Sequence, residues 1–160
     1  MIIAHAPTNR QVKSTASFLD AVKRLQDEGF DVDVELIEHA PWEQCLARKA
    51  KADMYFDQVI LGYGCNALEA WGMGIPVVAG ASDETLDEME RRFGQLPFYH
   101  ATEETIYDAL HELVESPELR ERYSKIGYDY VRRFHDYPVV VKQLKGIYQR
   151  ALDIAESKAA

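Results

Sequence analysis

The chain has 160 residues, 47% of them hydrophobic and 28% charged, and a formal net charge of −9. That length fits one domain with a substantial core. The acidic balance argues against nucleic acid or an anionic membrane surface as a main partner, and no apolar run nears the ~20 residues of a membrane span.

In chain order, 2–6 reads as a short apolar strand stopped by Pro7-Thr8-Asn9. A helix is expected over 14–28, with Phe18, Val22 and Leu25 on one face and Gly29 ending it. The alternation of 32–37 predicts a second strand with one face more exposed. Pro41 opens a helix to about Lys51, and 53–57 is the third strand. A glycine-rich turn, a short helix over 66–73 and a fourth strand over 76–79 follow. Residues 83–92 read as helix and 98–100 as a fifth short strand.

The remainder is helical. Ile106, Ala109, Leu110, Leu113 and Val114 give the spacing of an amphipathic helix. Ser116-Pro117 is an N-cap followed by proline in the first turn. That helix is expected to bury Leu119, Tyr123, Ile126, Tyr130 and Phe134. A last helix from about Pro138 is expected to bury Val140, Leu144, Ile147, Tyr148 and Ala151, with 156–160 a frayed tail. Strands alternating with helices predict a parallel α/β sheet of about five or six strands, covered on both faces, with a helical C-terminal region. Residues 1–155 form the expected domain.

Ligands of such sheets bind at the carboxyl ends of the strands. Three loops therefore matter: 7–13, 38–41 and 58–66. The first carries two cations, Arg10 and Lys13, beside a helix start. Fixed cations and backbone donors there would stabilise a departing diphosphate. A polar loop with Ser14 or Thr15 as a simple cap is the plainer alternative. In the third loop, Gly62, Tyr63, Gly64, Cys65 and Asn66 form a turn whose amides suit a phosphate. Glu69 follows within the helix, where a ribose could be held. The turn matches neither a dinucleotide-binding GxGxxG nor a P-loop. Taken alone, it is equally well a tight connection.

The combination is more specific. Leu68-Glu69-Ala70-Trp71-Gly72-Met73-Gly74-Ile75-Pro76-Val77-Val78 resembles the "LEAMAxGxPVV" pattern of nucleotide-sugar-dependent glycosyltransferases of GT-B fold, in particular the retaining "group 1" family. Residues 52–58 resemble the family's "ADIxxxP" strand, and Lys13-Ser14 stands where it has Lys-Gly. The resemblance spans 2–148 and matches one half of a GT-B fold, the C-terminal, donor-binding domain. It implies a nucleotide-diphosphate sugar as donor, with the diphosphate held by Arg10, Lys13, Gly62, Tyr63, Gly64, Cys65 and Asn66. It implies Glu69 on the ribose, and Glu38, His39, Asp57 and Gln58 near the base and sugar. An acceptor-binding N-terminal domain would be a required partner. No cofactor or metal is implied beyond the donor itself.

Two departures accompany the match. Many members place a first glutamate eight positions before the second, and here that position is Leu61. A leucine cannot hydrogen-bond the donor sugar. Either that end lacks its usual contact, or recognition moves to Asp57, Gln58 or Asn66. The lysine is also followed by Ser14 rather than glycine, with Arg10 unusually close.

Cys45 and Cys65 form no CxxC, and His5, His39, His100, His111 and His135 are scattered, so no zinc site or disulfide framework is indicated. A reducing cytoplasm fits that usage, and no signal peptide precedes the first strand. Asp57 ends a strand as a phosphoacceptor would, yet no acidic pair follows the first strand to hold magnesium. The expected activity is glycosyl transfer to an acceptor hydroxyl, metal-independent and with retention, in concert with the second domain. The alternatives are a non-catalytic nucleotide-sugar-binding or scaffold module, and a GT-B epimerase.

Overall fold

A computed structural model describes residues 1–159; of the expected tail, residue 160 lies outside the described residues. Five strands, β1 (Ile2–His5), β2 (Asp33–Leu36), β3 (Met54–Phe56), β4 (Val77–Ala79) and β5 (Tyr99–His100), form one parallel sheet in the order β2-β1-β3-β4-β5. Seven helices connect and follow them: α1 (Thr15–Asp27), α2 (Trp42–Lys49), α3 (Cys65–Gly72), α4 (Asp83–Phe93), α5 (Ile106–Glu115), α6 (Pro117–Phe134) and α7 (Tyr137–Ala159). Expected and observed boundaries agree within one or two residues for most elements.

Successive side chains of a strand point to opposite faces, so even these short strands supply both. Ile3, Met54, Phe56 and Val78 point to one side, with Phe18, Val22 and Leu25 of α1 and Leu110 and Leu113 of α5. Ala4, Tyr55, Val77 and Ala79 point to the other, with Ala67, Ala70 and Trp71 of α3 and Tyr130 of α6. The second face is tight. A Cβ on Gly127 would lie 2.1 Å from Trp71 Cδ1, so α6 can approach α3 only with glycine there.

The order places β1 between β2 and β3. The chain leaves β1 to one side and, after β2, returns to the other. Loops diverge at that switch and leave a crevice at the carboxyl ends of β1 and β3.

The last two helices depart from expectation. Ser116 caps α6 as expected, its Oγ accepting from the Leu119 amide at 3.1 Å. Tyr130 and Ile126 are buried, but Leu119, Tyr123 and Phe134 only partly so. On α7 the expected buried face is exposed: Leu144 is 43% accessible, Ile147 50% and Tyr148 66%, and Ala151 is exposed as well. From 142 to 158 every residue but Gly146 is exposed, and the stretch expected to fray is helical as far as Ala159. Helical spacing identifies an apolar face; it does not say that this chain supplies the surface to cover it. Among the described residues no helix is long and apolar enough to cross a membrane.

Candidate functional site

Three loops converge on the crevice. The first leaves β1 and turns through Asn9, whose side chain accepts from the amides of Gln11 and Val12 at 2.9 and 3.2 Å. Ser14 closes the loop in the left-handed region, with φ 48°. That backbone favours glycine. The Ser14 Oγ is buried without a partner among the described residues. A Lys-Gly pair would suit this turn better than the Lys13-Ser14 pair found.

Lys13 reaches across the end of β1. Its Nζ lies 2.6 Å from Asp57 Oδ1, and the other Asp57 oxygen accepts from the Gly64 amide at 2.7 Å. The Asp57 carboxylate is fully buried and Lys13 nearly so. Asp57, expected near the base and sugar, instead ties the lysine to the glycine turn. Gln58 is buried and turned into the same loop. Its Oε1 accepts from the amides of Ile60 and Leu61, at 3.0 and 2.7 Å, and its Nε2 donates to the Gly62 carbonyl. Gln58 therefore shapes the turn from inside rather than facing the crevice.

Gly62 has φ 83° and Gly64 precedes α3 in an extended conformation. The turn then delivers Cys65 and Asn66 as the first residues of α3, where their amides have no intrahelical acceptor. These two amides point along the positive end of the helix dipole. Cys65 is exposed there as a small helix-start residue. Asn66 also bridges outward, donating from Nδ2 to the Ala6 carbonyl at 3.1 Å. Tyr63 faces away from the crevice, toward α6, through a 2.7 Å hydrogen bond shared with the Tyr130 hydroxyl.

Glu69 is the most constrained of the expected residues. One oxygen accepts from the Trp42 indole N–H at 2.9 Å and the other from Lys49 Nζ at 2.6 Å. Lys49 is entirely buried, also donates to Asn66 Oδ1 at 2.9 Å, and lies 4.8 Å from the Tyr55 ring centroid. Sequence reasoning missed Lys49. It sits at the end of an exposed-looking α2, and only the packing of α2 against α3 makes it the partner of Glu69. Trp42, 65% exposed, was equally silent.

Arg10 and Glu38 pair bidentately across the loops after β1 and β2, at 2.9 and 2.5 Å. The hydrogen bonds from Arg10 hold the Glu38 carboxyl below its ordinary range. With His39, Ala40, Pro7 and Asn66 they line a cavity of about 510 Å³ beside Glu69's helix. So Arg10 sits with Glu38 and His39 rather than on the glycine turn. Leu61, in the loop between β3 and α3, is 69% exposed beside the exposed Ile60. Among the described residues no cluster of His, Cys, Asp or Glu is arranged to hold a metal ion.

The arrangement defines a class of fold. The chain is similar to the C-terminal domain of a glycosyl transferase group 1 family protein (LpcC) from Francisella tularensis, at 19% identity and TM-score 0.62, over 85% of this chain and 86% of that one. It is also similar to a variant of the O-GlcNAc transferase of Thermobaculum terrenum, at 21% identity and TM-score 0.62, over 99% of this chain but 37% of that one. No family model matches the sequence, and no curated protein matches it. The fold is that of the C-terminal half of GT-B proteins, with five strands. The chain spans little more than a third of the length of the second relative.

Proposed function

We propose that this chain is the donor-binding half of a glycosyltransferase, holding a nucleotide-diphosphate sugar for transfer to an acceptor hydroxyl. The observation that carries the reading is the meeting of Lys13, the free amides of Cys65 and Asn66, and Glu69 at one switch point. Each retains capacity for a ligand. Lys13 spends one of three N–H donors on Asp57. Glu69 has one lone pair left on each oxygen after Trp42 and Lys49, enough for two ribose hydroxyls. The cavity beside Arg10, Glu38 and His39 has the size of a nucleoside subsite.

In this reading the lysine and helix dipole stabilise the charge that develops on the diphosphate as the glycosyl bond breaks. The general outcome is a hexosyl transfer with retention, as in the family that the sequence resembles. Acceptor contacts and any base come from a second domain. The exposed apolar side chains of Val12, Ile60 and Leu61 in the loops after β1 and β3, and the outward face of α7, suit burial against it.

A second reading, a binding module without transfer chemistry, is favoured by one observation. Leu61 offers the sugar no polar contact, and the two carboxylates nearest the turn, Asp57 and Glu69, are already paired. Calorimetry with UDP, GDP and ADP tests what both readings share. At least one is expected to bind, and absence of binding by all three at millimolar concentration would overturn the site. Lys13→Ala is expected to weaken that binding by about 1–3 kcal/mol, the loss of a charged hydrogen bond. Transfer from a bound donor once the second domain is supplied would separate the enzyme from the module.

A further inference from the structure

A second cleft, of about 600 Å³, opens on the far side of the glycine turn, between α4, the end of α6 and the start of α7. Tyr63 of the turn and Tyr130 of α6 form its aromatic floor, with Phe134 and His135 beside them. The two tyrosine hydroxyls share a 2.7 Å hydrogen bond, and Tyr63 Oη lies 3.2 Å from His135 Nε2. Above this floor stand Glu84, Glu88 and Arg92 of α4 and Gln143 of α7.

Glu88 is paired with the neighbouring Arg91, its Oε2 accepting from Arg91 Nε at 3.0 Å, but the other polar groups are left largely to a ligand. Glu84 and Gln143 have no side-chain partner among the described residues. Arg92 meets Glu88 only at 3.9 Å and keeps most of its donors. The tyrosine–histidine chain leaves acceptor lone pairs on both hydroxyl oxygens.

The mixture selects a ligand class by elimination. An anion would meet the unpaired carboxylate of Glu84, and a cation would meet Arg92. An apolar molecule would cover the Glu84 carboxylate, the Arg92 guanidinium and the Gln143 amide without offering them partners, at a cost for each unsatisfied group. A neutral molecule with many hydroxyls satisfies all of them. Its O–H groups donate to carboxylates and tyrosine oxygens and accept from guanidinium and amide N–H. A pyranose ring also presents one face of C–H bonds to aromatic side chains. The volume is that of a small-molecule site. Burial and the Arg92 charge hold His135 below its ordinary pKa, so it is neutral here at pH 7.

We propose that this cleft is a binding site for a neutral saccharide, separate from the nucleotide crevice and sharing with it only the turn that carries Tyr63 and Asn66. The proposal goes beyond the nucleotide reading and does not depend on it.

The test is a titration of the whole isotope-labelled chain, followed by amide and side-chain NMR, with neutral trisaccharides of glucose, mannose, galactose and N-acetylglucosamine. At least one is expected to shift Tyr63, Met89 and Gln143 in the millimolar range or tighter. Gln143→Ala and Glu84→Ala lie on exposed helix surfaces and leave the core intact, and each is expected to weaken that binding at least fivefold. No shift from any of the four at about 20 mM would overturn the proposal. So would shifts confined to Lys13, Glu38 and Asn66, or undiminished affinity in both variants. A parallel titration with UDP reads the crevice through Lys13 and Cys65, so failure of one site is distinguishable from failure of the other.

Discussion

The crevice at the β1–β3 switch and the cleft between α4 and α6 lie on opposite sides of one turn, yet they treat their polar groups in opposite ways. In the crevice, three cations are matched to three carboxylates of the same chain: Arg10 to Glu38, Lys13 to Asp57 and Lys49 to Glu69. Two of these pairs are largely removed from water. In the cleft, Glu84 and Gln143 stand free, Arg92 is held only loosely, and the one firm pair, Arg91 with Glu88, is a solvent-exposed pair within α4. A pair built into the fold fixes a side chain before any ligand arrives, and leaves only its spare lone pairs or protons for recognition. A free side chain must be ordered by the ligand itself, which costs affinity but leaves the fold indifferent to its loss. The contrast predicts that mutations in the crevice act first on stability, and mutations in the cleft on binding alone.

The sharpest way to break the comparison is Glu69→Ala. It strands Lys49, which is fully buried, without its carboxylate. Removing one member of a buried pair costs about 3–5 kcal/mol, and the partial exposure of Glu69 puts the expected loss near the lower figure. Urea denaturation measures it. Adding Lys49→Met to the same chain should recover much of the loss, because the uncompensated charge is gone. If the single variant is as stable as the parent, Lys49 is not held as described, and the crevice is no more built in than the cleft.

His5 extends the comparison to pH. It is fully buried behind the first loop, with Nδ1 2.9 Å from the Phe56 carbonyl and Nε2 2.8 Å from Thr15 Oγ1. Desolvation pushes its pKa down from 6.5 to about 4. In the unfolded chain the imidazole takes a proton as pH falls through 6.5, while the folded protein refuses it until about 4. Stability from this residue is therefore complete above the unfolded value and declines as pH drops toward the folded one. Between about pH 7.5 and 4.5 the loss should be roughly 2–3 kcal/mol. His5→Gln should flatten that part of the pH profile, measured by chemical denaturation at each pH. An equal pH dependence in both proteins would show that His5 takes up its proton as readily folded as unfolded.

Ser14→Gly acts on the same loop with the opposite sign. Relief of the left-handed strain and removal of a buried, unpartnered hydroxyl should stabilise the chain by about 1 kcal/mol, net of the greater freedom of glycine when unfolded. A rise in the denaturation midpoint checks it. If nucleotide affinity rises as well, the strain sits against the binding geometry; if only stability changes, Lys13 is positioned by Asp57 rather than by the loop.

Much of this was legible in the residues. Alternation, glycine and proline stops and the pattern at 68–78 set the element order and brought Lys13, the turn and Glu69 to one end of the sheet. What was not legible depends on packing between elements. Asp57 and Gln58 read as residues at a strand end, open to a ligand; only the fold of the loop back on itself turns both inward. A lysine near the end of a helix carries no signal in the sequence, and Lys49 becomes the partner of Glu69 only where α2 meets α3. The apolar spacing of α7 was sound as a helix signal, but a period carries no information on what lies opposite. Tyr63 read as one more turn residue, and its reach to Tyr130, 67 positions away, appears only once α6 crosses the sheet face.

The smallest expected effects belong to the cleft, and they decide whether the comparison holds. Glu84 lies on the first turn of α4, where a carboxylate favours the helix dipole, so Glu84→Ala should lower stability by no more than about 0.5 kcal/mol. Gln143→Ala replaces an exposed amide on α7 by a better helix former and should be neutral or slightly stabilising, within about 0.5 kcal/mol. Thermal or urea unfolding of both variants reads these differences against the Glu69→Ala series. If either cleft variant loses as much as the crevice variant does, its side chain holds the fold together, and its freedom to meet a ligand goes with that. If both are neutral, the groups lining the cleft are not retained for stability, and what they do must be sought in what they bind.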